Sequence, residues 1–102
     1  MKITKTQNSR LAKTNFNKLE FGKTFSDHML MCKFQEDQWQ EAEILPYQPL
    51  SFAPGTHVFH YGQAVFEGMK AFKNEQGQTL LFRPEANMNR LNQSANRLCM
   101  PS

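Results

Sequence analysis

Cysteine is scarce in this chain of 102 residues, which holds only Cys32 and Cys99. Two cysteines provide neither a disulfide framework nor the paired spacing of a zinc motif. The three histidines show no ligand spacing with either cysteine. The sequence therefore predicts no metal site, and both thiols are expected to be small buried side chains.

Long apolar runs are also missing, since no stretch approaches the roughly 20 residues that span a bilayer. Residues 1–5 lack the apolar core of a signal peptide. No Walker loop, dinucleotide fingerprint or catalytic triad is present. The chain is 39% hydrophobic and 21% charged, which is typical of a globular domain. The prediction is a cytoplasmic protein with no membrane partner.

The net charge of +3 is unevenly distributed along the chain. Lysines and arginines dominate residues 1–23, where Glu20 is the only acid, whereas acids outnumber bases in the remainder. A nucleic-acid-binding protein is expected to carry its basic patch on the folded body. Residues 1–18 are therefore interpreted as a polar basic leader, and no nucleic-acid partner is predicted. The alternative, a basic nucleic-acid binder, depends on this leader alone.

Strands with apolar alternation are predicted in both halves of the chain. They are Ser26–Phe34, Trp39–Leu45, Val65–Lys73 and Thr79–Phe82. Polar turns at 35–38 and 74–78 would join them into two hairpins. The proline-containing residues 46–56 are expected to form an irregular connection.

One clear helix is predicted over residues 84–98. Pro84 suits the first helical position, and Pro101 ends the helix. An apolar stripe follows at helical spacing, formed by Met88, Leu91, Ala95 and Leu98. The fold class is therefore predicted as α+β, a mostly antiparallel sheet with one main C-terminal helix packed on it.

The run His60–Phe72 is the strongest candidate for a ligand site. In the predicted strand, Phe66 and Lys70 share one face, with Gly68 between them. Gly68 would let a ligand approach the backbone, and an apolar wall beside a cation suits a small carboxylate with an apolar side chain. On periodicity alone, the favoured alternative is a sheet face with Phe66 in the core and Lys70 reaching solvent.

Arg90 is a candidate phosphate ligand on the predicted helix. Arginine presents a rigid fork of donors that matches phosphate, and Arg97 follows seven residues later on nearly the same side. A solvated helix face is the alternative, and the local sequence favours it.

Three ordered segments resemble the N-terminal part of branched-chain amino-acid aminotransferases, which are class IV pyridoxal-phosphate (PLP) enzymes of fold type IV. These segments are Phe21–Leu30, His60–Phe72, and Leu81–Pro84 leading into Met88–Ala95. The resemblance covers about residues 19–102, which are expected to be the small domain of such an enzyme. Related class IV families usually carry Gly-Asp-Gly where this chain has His60-Tyr61-Gly62, which favours branched-chain substrates.

The resemblance implies roles for five residues. Arg90 is expected to bind the PLP phosphate. Phe21, Tyr61 and Phe66 are expected to line the pocket for the aliphatic substrate side chain, and Lys70 to lie near the site. The implied reaction moves an amino group between leucine, isoleucine or valine and 2-oxoglutarate.

The family's catalytic lysine, which holds PLP as a Schiff base, belongs to a large C-terminal domain. That domain is missing from this sequence, so no catalytic residue is expected here. The chain is predicted to be inactive alone and to bind PLP weakly if at all, and the full-length enzyme to be a homodimer. The alternative is a non-catalytic partner-binding module that retains the small-domain fold.

Overall fold

Short strands and helical turns make up most of the regular structure in the computed structural model, which describes residues 1–102. The chain divides into two units, residues 1–51 and residues 52–102. The first unit contains strands β1 (Lys2–Ile3), β2 (His28–Met31), β3 (Phe34–Gln35), β4 (Gln38–Trp39) and β5 (Glu43–Pro46). The second contains helix α1 (His57–Tyr61), strands β6 (Ala71–Lys73) and β7 (Thr79–Leu81), and helix α2 (Pro84–Arg97).

The first unit is built on the predicted hairpin, which is confirmed. Strand β2 pairs antiparallel with β5, placing Leu30 opposite Ile44, and β3 pairs antiparallel with β4. Glu36 and Asp37 connect β3 to β4 with φ angles of 53° and 57°. Two consecutive positive φ angles are the signature of the tight turn whose twist matches paired strands. The turn geometry therefore sets the register of this hairpin.

The leader residues contribute directly to the first unit. Strand β1 pairs parallel with β5, and the backbone N–H of Thr6 donates to Nε2 of His28 at 2.9 Å. Asp27 accepts from the Ser9 hydroxyl at 2.6 Å and from the Arg10 backbone N–H at 3.0 Å. These bonds lower the pKa of Asp27, the one from Ser9 most strongly. Side-chain hydrogen bonds thus fix the path of the leader beside the sheet.

The second unit begins with helix α1, which the sequence did not predict. The helix ends at Gly62, whose φ of 60° is the left-handed conformation that glycine commonly supplies after a helix. Strands β6 and β7 form the second predicted hairpin, with Ala71 opposite Leu81. Within its turn, the Asn74 side-chain oxygen accepts from the Gln78 backbone N–H at 2.8 Å.

The predicted strand Val65–Lys73 is wrong over residues 65–70, since only Ala71–Lys73 is a strand. The backbone groups of Gly68 bond to side chains instead of to a neighbouring strand. Its N–H donates to Oε1 of Glu67 at 3.0 Å, and its carbonyl accepts from the Asn87 side chain at 2.8 Å. Backbone polar groups need partners, and here side chains replace a sheet ladder.

Helix α2 confirms the predicted helix to within one residue. Pro84 occupies its first turn with Glu85, and Arg97 lies in its last turn, as the helix dipole favours. Ala95 is 5% exposed and is the one buried residue of the chain, while Met88 and Leu98 in the same stripe are exposed. The α+β class is confirmed, with small sheets and one main helix.

Little apolar surface is buried in this chain. Ala95 alone is buried, and large side chains such as Phe21, Tyr61 and Phe66 are mostly exposed. The expectation that both thiols are buried is wrong, because Cys32 is half-buried and Cys99 is exposed. Cys99 lies two residues beyond the end of α2 and has a φ of 53°. Most large hydrophobic side chains remain in contact with solvent.

No helix has the length and apolarity to cross a membrane.

Candidate functional site

An ion pair between Arg90 and Glu67 is the centre of the candidate site. Arg90 Nε donates to Glu67 Oε2 at 2.7 Å, and Arg90 Nη2 donates to Glu67 Oε1. Helix α2 carries Arg90, and the irregular segment before β6 carries Glu67. Two parallel N–H···O bonds fix the plane of the guanidinium as well as its position.

The Glu67 carboxylate is held by more than its arginine partner. It also accepts from the Asn87 side chain at 3.2 Å and from the Gly68 backbone N–H at 3.0 Å. Asn87 and Arg90 are three residues apart on α2 and therefore lie on the same side of the helix. The Glu67 side chain is 9% exposed, compared with 63% for Arg90. A nearly buried carboxylate thus anchors an exposed guanidinium.

These hydrogen bonds keep both partners charged. The bond from Arg90 is the largest cause that lowers the pKa of Glu67 from its ordinary 4.5 to about 2. Burial opposes this shift, and the Asn87 and Gly68 bonds add to it. The same ion pair raises the pKa of Arg90. The pair is therefore fully ionised across the physiological pH range.

We expect this network to survive mild acid. Because the pKa of Glu67 is depressed in the folded chain, its stabilising contribution is complete above pH 4.5 and disappears as the pH falls toward about 2. An NMR titration that follows the Glu67 carboxyl carbon and the Arg90 Nε–H would measure this. The Asn87→Ala variant, which lacks one contributing bond, should titrate at a higher pH. A midpoint near 4.5 in the unmodified chain would contradict the observed network.

Arg90 retains donors for a further ligand, because Glu67 is its only hydrogen-bond partner. Three of the five guanidinium N–H groups are therefore unused. A wide, open cavity of about 500 Å³ lies beside it on the surface of α2, and its lining residues are Arg90, Gln93, Ser94, Asn96 and Arg97. This lining has cationic, amide and hydroxyl groups and no carboxylate. Such a donor set can bind an anion, including a phosphate.

Sequence reasoning found Arg90 but missed Glu67 and Asn87. The three-residue spacing of Asn87 and Arg90 on a helix indicated that they are neighbours. No local pattern links position 67 to position 90, because their pairing depends on how the chain folds back onto α2.

The predicted pocket residues of the second unit are solvent-exposed, Tyr61 by 80% and Phe66 by 87%. The Tyr61 ring contacts His57 edge-to-face, with 5.5 Å between ring centroids. Tyr61 also lines a second cavity of about 440 Å³ with His57, Gln63 and Leu98. Phe66 and Lys70 are not among the residues that line that cavity. The predicted roles of Tyr61, Phe66 and Lys70 stay predictions.

Phe21 belongs to the first unit. It lies in the turn at residues 21–23, and its side chain is fully exposed. Its predicted role as a pocket wall stays a prediction.

Comparison with known proteins identifies close relatives, although no family model matches the chain. The chain is 55% identical over 86 residues to branched-chain-amino-acid aminotransferase 2 of Bacillus subtilis, covering 83% of this chain and 24% of that protein. It is 46% identical over 103 residues to the cytosolic branched-chain-amino-acid aminotransferase of Saccharomyces cerevisiae, covering all of this chain and 27% of that protein. The mitochondrial yeast enzyme is 42% identical over 103 residues, covering 26% of its length. The chain thus spans about a quarter of the length of these relatives.

Proposed function

We propose that this chain forms part of the cofactor and substrate site of a branched-chain-amino-acid aminotransferase. The premise is that the chain is homologous to about a quarter of the length of each such relative. The reaction would transfer an amino group between leucine, isoleucine or valine and 2-oxoglutarate. When bound, PLP would supply the electron sink for this chemistry. The observation that carries the proposal is the identity of 42–55% to relatives with this name.

Arg90 is the proposed ligand of the PLP phosphate. This role is supported by the donors of Arg90 that Glu67 does not use and by its permanent charge. It is also supported by the cavity beside Arg90, whose lining is compatible with an anion. The residues present fit a phosphate, because no acidic side chain lines the cavity. Arg90 would bind and orient the cofactor and would take no part in proton transfer.

Phe21, Tyr61 and Phe66 are the proposed walls of the pocket for the aliphatic side chain, with Lys70 near it. Their support is chemical, since exposed aromatic side chains commonly mark a surface that a ligand or a partner covers. No catalytic residue is proposed within this chain. The catalytic lysine is proposed to lie in the part of the relatives that the chain does not match.

The assembly and location of the whole enzyme are proposals of the same kind. We propose a large domain that covers the exposed apolar side chains, a homodimer, and a cytoplasmic location. The relatives include one yeast enzyme named cytosolic and one named mitochondrial. A second candidate function, a non-catalytic partner-binding module, is favoured by the same exposed apolar surface.

A chimeric enzyme separates these two functions. The 86 matched residues of the Bacillus subtilis enzyme would be replaced by the corresponding residues of this chain. We expect the chimera to transaminate leucine with 2-oxoglutarate at a rate within about tenfold of the parent, since substitutions away from the reacting groups usually have modest effects. The 102-residue chain alone is the matched comparison and should show no turnover. A folded chimera that binds PLP but is inactive would favour the non-catalytic module.

A further inference from the structure

We infer that Glu67 is a positioning residue, which orients the Arg90 guanidinium so that its free donors are ready for a phosphate group. This inference rests on the proposed function, because it takes Arg90 as the phosphate ligand. It adds a residue, Glu67, to which neither the local sequence pattern nor the family resemblance assigned a role. Glu67 itself would not contact the phosphate.

The geometry of the ion pair carries this inference. Glu67 occupies one edge of the guanidinium, formed by Nε and one N–H of Nη2. A planar group bonded along one edge cannot rotate about its long axis without breaking both bonds. The three remaining N–H groups, two on Nη1 and one on Nη2, therefore keep a fixed direction. A ligand that uses them meets an ordered side chain, and less ordering is required on binding.

The anchor is itself fixed independently of Arg90. The Asn87 side chain bonds both to Glu67 Oε1 and to the carbonyl oxygen of Gly68, and the Gly68 N–H bonds back to Glu67. Helix α2 and the segment before β6 are thereby connected at one point. The carboxylate remains in place when Arg90 exchanges solvent for a ligand.

Charge alone predicts the opposite role for Glu67. A carboxylate close to an anion site repels the anion, so its removal should strengthen phosphate binding. Positioning predicts that its removal weakens binding, because the guanidinium becomes mobile. The sign of the change in affinity therefore distinguishes the two effects.

The test uses the complete 102-residue chain and the Glu67→Gln variant. Pyridoxine 5′-phosphate is a suitable probe, because it has no aldehyde and cannot form adducts with the lysines of the chain. Its affinity would be measured by NMR titration, with pyridoxine and inorganic phosphate as companion ligands. The Glu85→Gln variant is the control. It removes the same negative charge, but from the first turn of α2, where the side chain forms no ion pair with Arg90.

We expect Glu67→Gln to weaken binding of pyridoxine 5′-phosphate and inorganic phosphate about tenfold, the size of one charge-assisted hydrogen bond. Binding of pyridoxine should not change, whereas a general loss of structure would weaken the binding of pyridoxine as well. Glu85→Gln should change no affinity by more than about twofold. The Arg90 Nε–H should exchange with water faster in Glu67→Gln than in the unmodified chain.

Two results would overturn the inference in different ways. If the unmodified chain binds pyridoxine 5′-phosphate more tightly than pyridoxine, but Glu67→Gln binds it equally well or better, the inference fails and the proposed role of Arg90 stands. If the unmodified chain does not prefer the phosphorylated ligand, Arg90 does not bind phosphate in this chain, and the inference fails with it; Arg90→Lys in the chimera then tests the proposed role in the enzyme.

A second variant covers the case in which Glu67→Gln loses the backbone resonances of α2. Glu67→Asp keeps the charge but withdraws the carboxylate by one methylene. It should also weaken binding of the phosphorylated ligand, and an unchanged affinity would overturn the inference.

Discussion

Replacing Arg90 by lysine in the chimeric aminotransferase should lower its affinity for PLP by about 10- to 100-fold. Lysine has a single ammonium group and cannot reproduce the planar fork with which Arg90 bonds to both oxygens of Glu67 and directs its other donors elsewhere. The net charge is unchanged, so any loss reports the geometry of the guanidinium fork. Absorbance titration of the cofactor-free chimera with PLP would measure the affinity.

The matched control for this experiment is Arg83→Lys. Arg83 lies directly before α2, forms no ion pair and is not part of the cavity beside Arg90. Its replacement should change the PLP affinity by less than about twofold. Equal effects of the two substitutions, or none from Arg90→Lys, would remove Arg90 from the phosphate site.

Heating the 102-residue chain alone should show no sharp unfolding transition. A compact domain of this length absorbs about 70 kcal/mol on unfolding, because a packed core melts as a unit. Here only Ala95 is buried, and most large hydrophobic side chains are already exposed in the folded chain. We expect less than about half of the compact-domain enthalpy, since unfolding exposes correspondingly less new surface.

Differential scanning calorimetry measures this enthalpy, and a dye that fluoresces on apolar surface gives an independent test. The chimera is the control, because the remainder of the aminotransferase should cover the exposed apolar side chains and restore a single sharp transition. A sharp transition near 70 kcal/mol for the isolated chain, without dye binding, would show that it encloses its own core.

Local chemistry explains the parts of the fold that could be predicted. Pro84 and the apolar stripe through Leu91 and Ala95 define α2, because proline position and helical spacing depend on neighbours in sequence. The polar turn at Glu36 and Asp37 defines the first hairpin for the same reason. Both predictions use interactions that span only a few residues.

Contacts between distant residues explain the parts that could not be predicted. The alternation through Phe66 and Lys70 predicts a strand, but the Gly68 backbone bonds to Glu67 and Asn87 side chains instead. Asn87 lies 19 residues beyond Gly68, and such a partner leaves no mark on local periodicity. The resemblance to a known family pointed to Arg90, whereas only the structure showed what holds its guanidinium.

The connection between Glu67 and Arg90 also bears on how the two positions can evolve. Loss of the arginine alone would leave the Glu67 carboxylate without its only cationic partner, which is unfavourable although the Asn87 and Gly68 bonds remain. Loss of the glutamate alone would free the guanidinium of Arg90, which we propose binds phosphate in one fixed orientation. We therefore expect substitutions at position 67 to accompany substitutions at position 90 among related sequences.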